Sequence, residues 1–176
     1  MVTHDRLLEM LSYEPDTGHF RWRVNKAGPG AKVGKIAGNL HKFGYWRVKL
    51  DGKYYRAHRL AWFYTHKVWP AFDIDHINGV KHDNRITNLR DVPARLNSYN
   101  LQRAHRHNKT GLLGVSFQEN RTSFKKYLAK IKVAGKTKCL GSFETPELAH
   151  LAYMQAKQVR DSEAMEDHLR NHLKEK

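Results

Sequence analysis

Residues 73–90 read DIDHINGVKHDNRITNLR and decide the local fold around them. The stretch begins as a short strand that ends at Asp75 and His76. Adjacent residues of an extended strand point to opposite sides, so this pair can serve one site only at a bend or a strand end. Gly79, three residues after His76, supplies such a turn. The stretch therefore predicts two polar side chains that share a site where a strand ends.

Upstream of this stretch, the sequence predicts a helix capped by Thr3 and then a small glycine-punctuated antiparallel sheet between Phe20 and Ala57. The clearest hairpin turns at Asp51-Gly52. Its register places Arg47 opposite Arg56, and like charges directly across a ladder are destabilising. A phosphate lying over the two arginines would relieve the repulsion, and so would side chains that splay into water.

Downstream, the pattern predicts a helix over 93–103 and a polar linker over 105–110. A second unit of three strands and one helix follows from Gly111. Its central strand alternates a buried face with a basic one. A three-residue connection around Gly135 would keep Cys139, Gly141 and Phe143 inside and place Lys138 on the outer face with Lys130 and Lys132.

Composition points to a polyanionic partner. The 176 residues hold 32 Lys+Arg against 17 Asp+Glu, a formal charge of +15, and Glu119 is the only acid between 101 and 143. Nucleic acid is the expected partner, the alternative being lysines that only keep the surface soluble. No apolar run approaches the roughly 20 residues of a membrane span, so we expect a cytosolic protein without membrane contact. The single Cys139 excludes an internal disulfide and a zinc site of paired cysteines.

Three features together resemble the HNH nuclease family, in particular phage and bacterial homing endonucleases: AHRLAW at 57–62, the stretch 73–90, and Asn97. The resemblance covers about residues 13–103. It implies two short strands and a helix around one divalent cation, Mg²⁺ or Mn²⁺, with Asp75 and Asn97 as metal ligands. It also implies His76 as the general base.

The resemblance gives Asn88 one of two roles, either orienting His76 or tying the loop. Asn84 is expected to fix the loop through bonds from its side chain to the backbone. His58, in the upstream helix, is expected to cap or pack beneath the site rather than to react.

Residues 110–160 resemble an AP2 DNA-binding domain, which implies a three-stranded sheet that enters the major groove. Its expected DNA contacts are basic residues of the sheet and its loops, namely Arg121, Lys125, Lys126, Lys130, Lys132 and Lys138. Tyr127 stands where the family usually has tryptophan.

Taken together, the sequence predicts an α+β protein: an HNH nuclease domain with a small antiparallel sheet (1–104), a linker (105–110), an AP2-like three-stranded antiparallel sheet packed on one helix (111–160), and a charged helix or tail (161–176). The expected function is metal-dependent, site-specific cleavage of double-stranded DNA without a small-molecule cofactor. A DNA-binding regulator with an inactive HNH unit and a less specific HNH nuclease are the alternatives. A monomer is expected, and pairing on DNA stays open.

Overall fold

A computed structural model describes residues 1–25, 31–101, 103–120 and 122–174 of the chain. It divides into two compact units, Met1–Asn100 and Leu101–Lys176. Within the described residues, no helix has both the length and the apolar character needed to cross a bilayer. The predicted domain boundaries after residues 104, 110 and 160 stay predictions.

The first unit consists of three small antiparallel sheets, three α-helices and one short 3-10 helix, Ile86–Asn88, in its described part. The sheets pair β1 with β2, β4 with β3 and β5, and β6 with β7. The elements in chain order are α1 His4–Met10, β1 Leu11–Glu14, β2 His19–Trp22, β3 Asn39–Leu40, β4 Trp46–Leu50, β5 Lys53–Arg56, α2 Ala57–His66, β6 Asp73–His76, β7 Leu89–Val92 and α3 Ala94–Asn97.

One apolar core holds this unit together. Thr3 caps α1 as predicted, because its hydroxyl accepts a hydrogen bond from the Arg6 backbone amide at 3.3 Å. Helices α1 and α2 pack against each other, and α2 also packs against β4 and β5. These elements, together with β1 and β2, supply the largest fully buried side chains of the core, which include Leu7, Leu11, Phe20, Val48, Leu50 and Leu60. Each such side chain stabilises the fold by about 1.5–3 kcal/mol when it is fully buried.

The hairpin β4–β5 has the predicted register. Asp51 and Gly52 both adopt positive φ, at 45° and 82°, which is the geometry of a two-residue hairpin turn. Arg47 therefore lies directly opposite Arg56.

The helix predicted over 93–103 is much shorter than expected. Helix α3 covers only Ala94–Asn97, and a turn follows at Ser98 and Tyr99. Beyond the turn, the Asn100 side-chain amide donates to the backbone oxygen of His76 at 2.8 Å. This contact holds the chain against β6, so it cannot continue along the helix axis.

The second unit is a three-stranded antiparallel sheet with one long helix against it. Strands β8 Val115–Phe117, β9 Tyr127–Val133 and β10 Lys136–Phe143 pair in the order β10-β9-β8, and α4 Pro146–Lys174 contacts all three. Its apolar core has few residues: Val115, Ala129 and Ala149 form a buried cluster with four partly buried apolar side chains around them, and Ile131 and Tyr153 are buried as well. Helix α4 continues without a break past residue 160, where a charged helix or tail was predicted.

Two predictions about β10 are wrong. The turn before it has two residues, Ala134 and Gly135, and not three, so the parity of the strand is inverted at its start. Cys139 is therefore exposed opposite Lys130, and Lys138 lies opposite Ile131. A register shift between Cys139 and Gly141 then restores the predicted parity, which places Gly141 and Phe143 opposite Ala129 and Tyr127.

Candidate active site

Asp75 and His76 lie at the end of β6, where the sequence predicts them to share a site. Both are buried, at 6% and 5% of their full exposure. The Gly79 amide donates to the His76 carbonyl at 2.8 Å, and Gly79 has a φ of 72°, so the chain turns directly after the pair. Strand β7 returns alongside β6, with Arg90 opposite Asp75 and Leu89 opposite His76.

The His76 ring is oriented by Asn84. Its Nε2 lies 3.3 Å from Asn84 Oδ1. Asn84 Nδ2 donates to the His82 carbonyl at 3.2 Å, which fixes the amide so that its oxygen faces the ring. Because an amide oxygen only accepts, the proton of the neutral imidazole is on Nε2 and the lone pair is on Nδ1. Burial lowers the pKa of His76 below its ordinary value, so this neutral base form is favoured.

Residues of strand β1 and of the turn after it contact the backbone at Asn84. The Tyr13 hydroxyl donates to the Asn84 backbone oxygen at 2.7 Å. A Cβ on Gly18 would lie 2.5 Å from the Arg85 nitrogen and from the Asn84 carbonyl carbon. Only glycine fits this approach, and its φ of 73° favours glycine as well. Sequence reasoning missed both contacts, since Tyr13 reads as an ordinary strand residue and Gly18 as an ordinary turn glycine.

Asn88 ties the loop between β6 and β7. Its Oδ1 accepts from the Asn78 amide at 3.0 Å, and its Nδ2 donates to the Asp83 carbonyl at 2.8 Å. Asn78 Nδ2 in turn donates to the Asp83 carboxylate at 2.7 Å. Of the two roles left open for Asn88, these contacts correspond to tying the loop, while Asn84 contacts His76.

The Asp75 carboxylate has two partners that sequence reasoning did not name. Arg90 approaches Oδ2 through Nε at 2.8 Å and through its terminal nitrogen at 2.7 Å. Asn100 Nδ2 donates to Oδ1 at 3.0 Å and to Oδ2 at 3.1 Å. The cross-strand register of Asp75 with Arg90 could have indicated the first, but nothing in the sequence indicates the second.

Asn97 is the last residue of α3, which packs against both β6 and β7. Its backbone amide donates a hydrogen bond to the Pro93 carbonyl oxygen at 3.1 Å. The structure thus places Asn97 on an element that contacts the strand of Asp75. The assignment of its side chain as a metal ligand stays a prediction.

The atoms around Asp75 that could bind a metal are oxygens, the ligand type that hard divalent cations prefer. Four oxygens, the two of Asp75 and the carbonyls of His76 and Ile77, lie 2.8–3.4 Å from the single nitrogen Asn100 Nδ2. Oxygen donors of this type suit Mg²⁺ or Mn²⁺. Across the described ranges, no three His, Cys, Asp or Glu side chains group as a metal site, so a cation here would depend on amide, backbone or water oxygens.

His58 packs against the His76 ring. The two ring centroids are 5.0 Å apart in an edge-to-face arrangement, and Tyr45 lies 5.4 Å from His58 on another side. Burial lowers the pKa of His58 to about 3, and its Nδ1 has no hydrogen-bond partner among the described residues. A neutral ring in this position supports the predicted packing role.

The predicted DNA contacts divide between the two units. Arg47 and Arg56 lie opposite each other on strands β4 and β5 of the first unit. Arg56 is two residues before His58 in the sequence. Four lysines on the second unit, Lys125, Lys130, Lys132 and Lys138, are exposed, and Lys126 is half-buried. Arg121 lies outside the described residues.

The HNH endonuclease family model matches residues 55–99, from β5 to just past α3. This match supports an HNH nuclease that acts on nucleic acid. Neither the curated proteins nor the solved structures gave a match to the chain.

Proposed function

We propose that the protein is a site-specific, metal-dependent DNA endonuclease of the HNH homing type, with His76 as its general base. The observation that carries this is the buried His76 ring, whose Nε2 faces Asn84 and whose Nδ1 keeps its lone pair. The ring is adjacent to Asp75 in a segment that matches HNH endonucleases.

In the proposed reaction, His76 Nδ1 takes a proton from a water molecule whose oxygen attacks the phosphorus of a phosphodiester. The bond from phosphorus to the 3′ oxygen breaks, and that oxygen takes a proton from solvent. The products are a 5′-phosphate and a 3′-hydroxyl. Before the proton transfer, Asn84 holds the neutral imidazole in the required tautomer, and Asn88 ties the loop that carries Asn84.

Asp75 and Asn97 would hold the divalent cation, Mg²⁺ or Mn²⁺. When bound, it supplies positive charge against the phosphate and the leaving oxygen, which general acid–base catalysis alone does not provide. Arg90 already neutralises Asp75, so Mg²⁺ or Mn²⁺ must compete with this ion pair.

The second unit would locate the target site. Its three-stranded sheet backed by one helix is the arrangement expected of an AP2-like domain. The exposed lysines Lys125, Lys130 and Lys132 supply the charge for contacts to phosphates, together with half-buried Lys126. A monomer with one such active site most simply nicks one strand.

One observation favours the alternative of a DNA-binding regulator with an inactive HNH unit. Both oxygens of Asp75 already accept hydrogen bonds from protein groups, Arg90 and Asn100. If these contacts persist on DNA, Mg²⁺ or Mn²⁺ would be excluded from the carboxylate.

A strand-resolved cleavage assay separates the two functions. The purified protein is incubated with DNA fragments from its own genomic neighbourhood, with Mg²⁺, with Mn²⁺ or with a chelator, and breaks are mapped on each strand. We expect metal-dependent breaks at a defined site, lost in His76→Ala and kept in His82→Ala. His82 is a matched control because it is an exposed histidine of the same loop. Tight binding without breaks in either metal would favour the regulator, and full cleavage by His76→Ala would exclude His76 as the base.

A further inference from the structure

The outer face of the β3–β5 sheet carries alternating cations and aromatic rings. The Arg47 guanidinium lies 4.3 Å from the centroid of the Tyr54 ring, and the Arg56 guanidinium lies 4.5 Å from that of Tyr45. We call these four residues the Arg–Tyr strip. The stacking explains how two arginines can face each other across the ladder: each guanidinium is attracted to its own ring. This arrangement is neither of the two outcomes expected from the sequence.

The strip borders a cavity of about 290 Å³, close to the lower size limit of small-ligand sites. His41, Phe43 and Tyr55 complete its lining, so no lining residue is acidic. The side chains of Phe43 and Tyr54 are 63% and 56% exposed, so a large part of each ring is open to solvent although cations lie over both rings.

One end of the Arg–Tyr strip lies close to His76, the proposed general base. The Tyr45 ring is 6.1 Å from the His76 ring and 5.4 Å from that of His58, measured between centroids. The Lys81 ammonium lies 5.1 Å from the Tyr45 ring centroid and adds a further positive charge at this end. A DNA strand whose phosphate reaches His76 would therefore have its neighbouring nucleotide beside the cavity.

We propose that the Arg–Tyr strip is a binding site for an unpaired nucleotide of the DNA strand, next to the phosphodiester that is cut. The proposal rests on the nuclease function proposed above. Paired bases in a duplex have both faces covered by their neighbours, so exposed rings such as Tyr54 can stack only on a base that has left the helix. The Arg56 side chain is exposed, so its guanidinium can present N–H groups to phosphate oxygens while it stacks on Tyr45.

Equilibrium binding in the presence of a chelator tests this site without any cleavage. Fluorescence anisotropy compares a fully paired duplex with the same duplex carrying a short unpaired bubble. Since stacking on one aromatic side chain changes affinity by roughly 5- to 100-fold, we expect the wild type to prefer the bubble by a factor in this range. The preference should fall close to one in Tyr54→Ala and persist in Tyr54→Phe, which keeps the ring.

Lys53→Ala is the matched control, because Lys53 is an exposed residue one position before Tyr54, and strand alternation places it on the other face. It should keep the full preference for the bubble. Phe43→Ala gives a second, independent removal of an exposed ring and should also weaken the preference. Circular dichroism verifies that each variant is folded.

The proposal is overturned if the wild type binds the two DNAs equally, or if Tyr54→Ala and Phe43→Ala keep the preference. Its failure is distinguishable from failure of the nuclease function. Loss of bubble preference with intact cleavage removes only the strip. Bubble preference without cleavage in any metal removes only the nuclease.

Discussion

The loop between β6 and β7 and the outer face of the β8–β10 sheet use polar side chains in opposite ways. In the loop, Asn84 and Asn88 are buried and bonded at both ends of their amides. On the sheet, Lys130 and Lys132 extend into solvent. Proton transfer requires a fixed ring orientation, whereas attraction of phosphates requires only charge and reach. The difference indicates which region should respond to small changes in geometry.

The two units also differ in the size of their apolar cores. Among the described residues, the first unit buries eighteen apolar side chains, including Phe20 and Leu60, whereas the second buries five, namely Val115, Ala129, Ile131, Ala149 and Tyr153. A unit of this size with so small a core is only marginally stable. The second unit should therefore be the more sensitive of the two to a packing defect.

The largest expected effect is from Gly114→Ala in the second unit. A Cβ at this position would lie 1.9 Å from Cδ2 of Tyr153, and the φ of Gly114 is 77°. We expect a loss of about 2–4 kcal/mol in the stability of this unit. Hydrogen exchange should show loss of protection in β8, β9 and α4, while fluorescence of the four tryptophans, all in the first unit, stays unchanged.

Gly111→Ala is its matched control. Gly111 has a similar φ of 69°, but a Cβ there would meet no atom within 4 Å. It should cost only the backbone strain, about 1 kcal/mol. Equal losses of protection in the two variants would contradict the role assigned to Tyr153.

The next effect is on catalysis and should separate Asn84 from Asn88. Asn84→Ala removes the group that fixes the His76 tautomer, so we expect kcat to fall by about 100-fold with KM little changed. Asn88→Ala leaves the contact between Asn84 and His76 in place and should loosen the loop, with a smaller loss in kcat and lower thermal stability. Steady-state cleavage rates and melting curves measure the two. A larger loss of kcat in Asn88→Ala would reverse the assigned roles.

A third effect is the pH dependence of the first unit's stability. The folded-state pKa of His58 is lowered to about 3, so its stabilising contribution is present above the unfolded value and is lost as pH falls. Between about pH 6.5 and 3 the stability should fall by about 1.4 kcal/mol per pH unit from this residue. Burial of His76 acts in the same direction.

Urea unfolding followed by tryptophan fluorescence at several pH values measures this slope. His58→Phe keeps a ring in the core and cannot take up a proton, so its stability should fall less steeply with acid than that of the wild type. Identical slopes would mean that His58 becomes solvated before it is protonated.

The smallest effect is expected on the basic sheet. Replacing Lys130 and Lys132 together by alanine should reduce the slope of log affinity against log salt by about 1.8, because each phosphate contact contributes about 0.9. Lys138→Ala is the comparison, since Lys138 lies opposite Ile131 and not on the face of Lys130. An equal change per residue would show that DNA also contacts the edge strand β10. Salt titrations of DNA binding measure all three slopes.

The parts of the fold set by short-range chemistry could be predicted from the sequence. The Asp51-Gly52 turn determined the register of Arg47 with Arg56, and the Asp75-His76 pair followed by glycine indicated the strand end. The side of the sheet on which Cys139 lies could not be predicted, because a turn one residue shorter than expected inverts the parity of the strand that follows it.

The partners within the site were harder to predict than the site itself. Asn84 and Asn88 are alike in chemistry and only four residues apart, so only the path of the loop decides which one reaches His76. Asn100 reaches Asp75 because α3 ends at Asn97 and the chain turns at Ser98 and Tyr99. Such an early helix end has no local sequence signal here.

The support that Tyr13 and Gly18 give to Asn84 has a consequence for engineering. The segment 55–99 that matches the family does not contain the hydroxyl or the glycine on which its own histidine depends. A chimera that carries only residues 55–99 in another protein would contain His76 and Asn84 but not Tyr13 and Gly18, which support Asn84. We expect such a graft to become competent only when the amino-terminal hairpin travels with it.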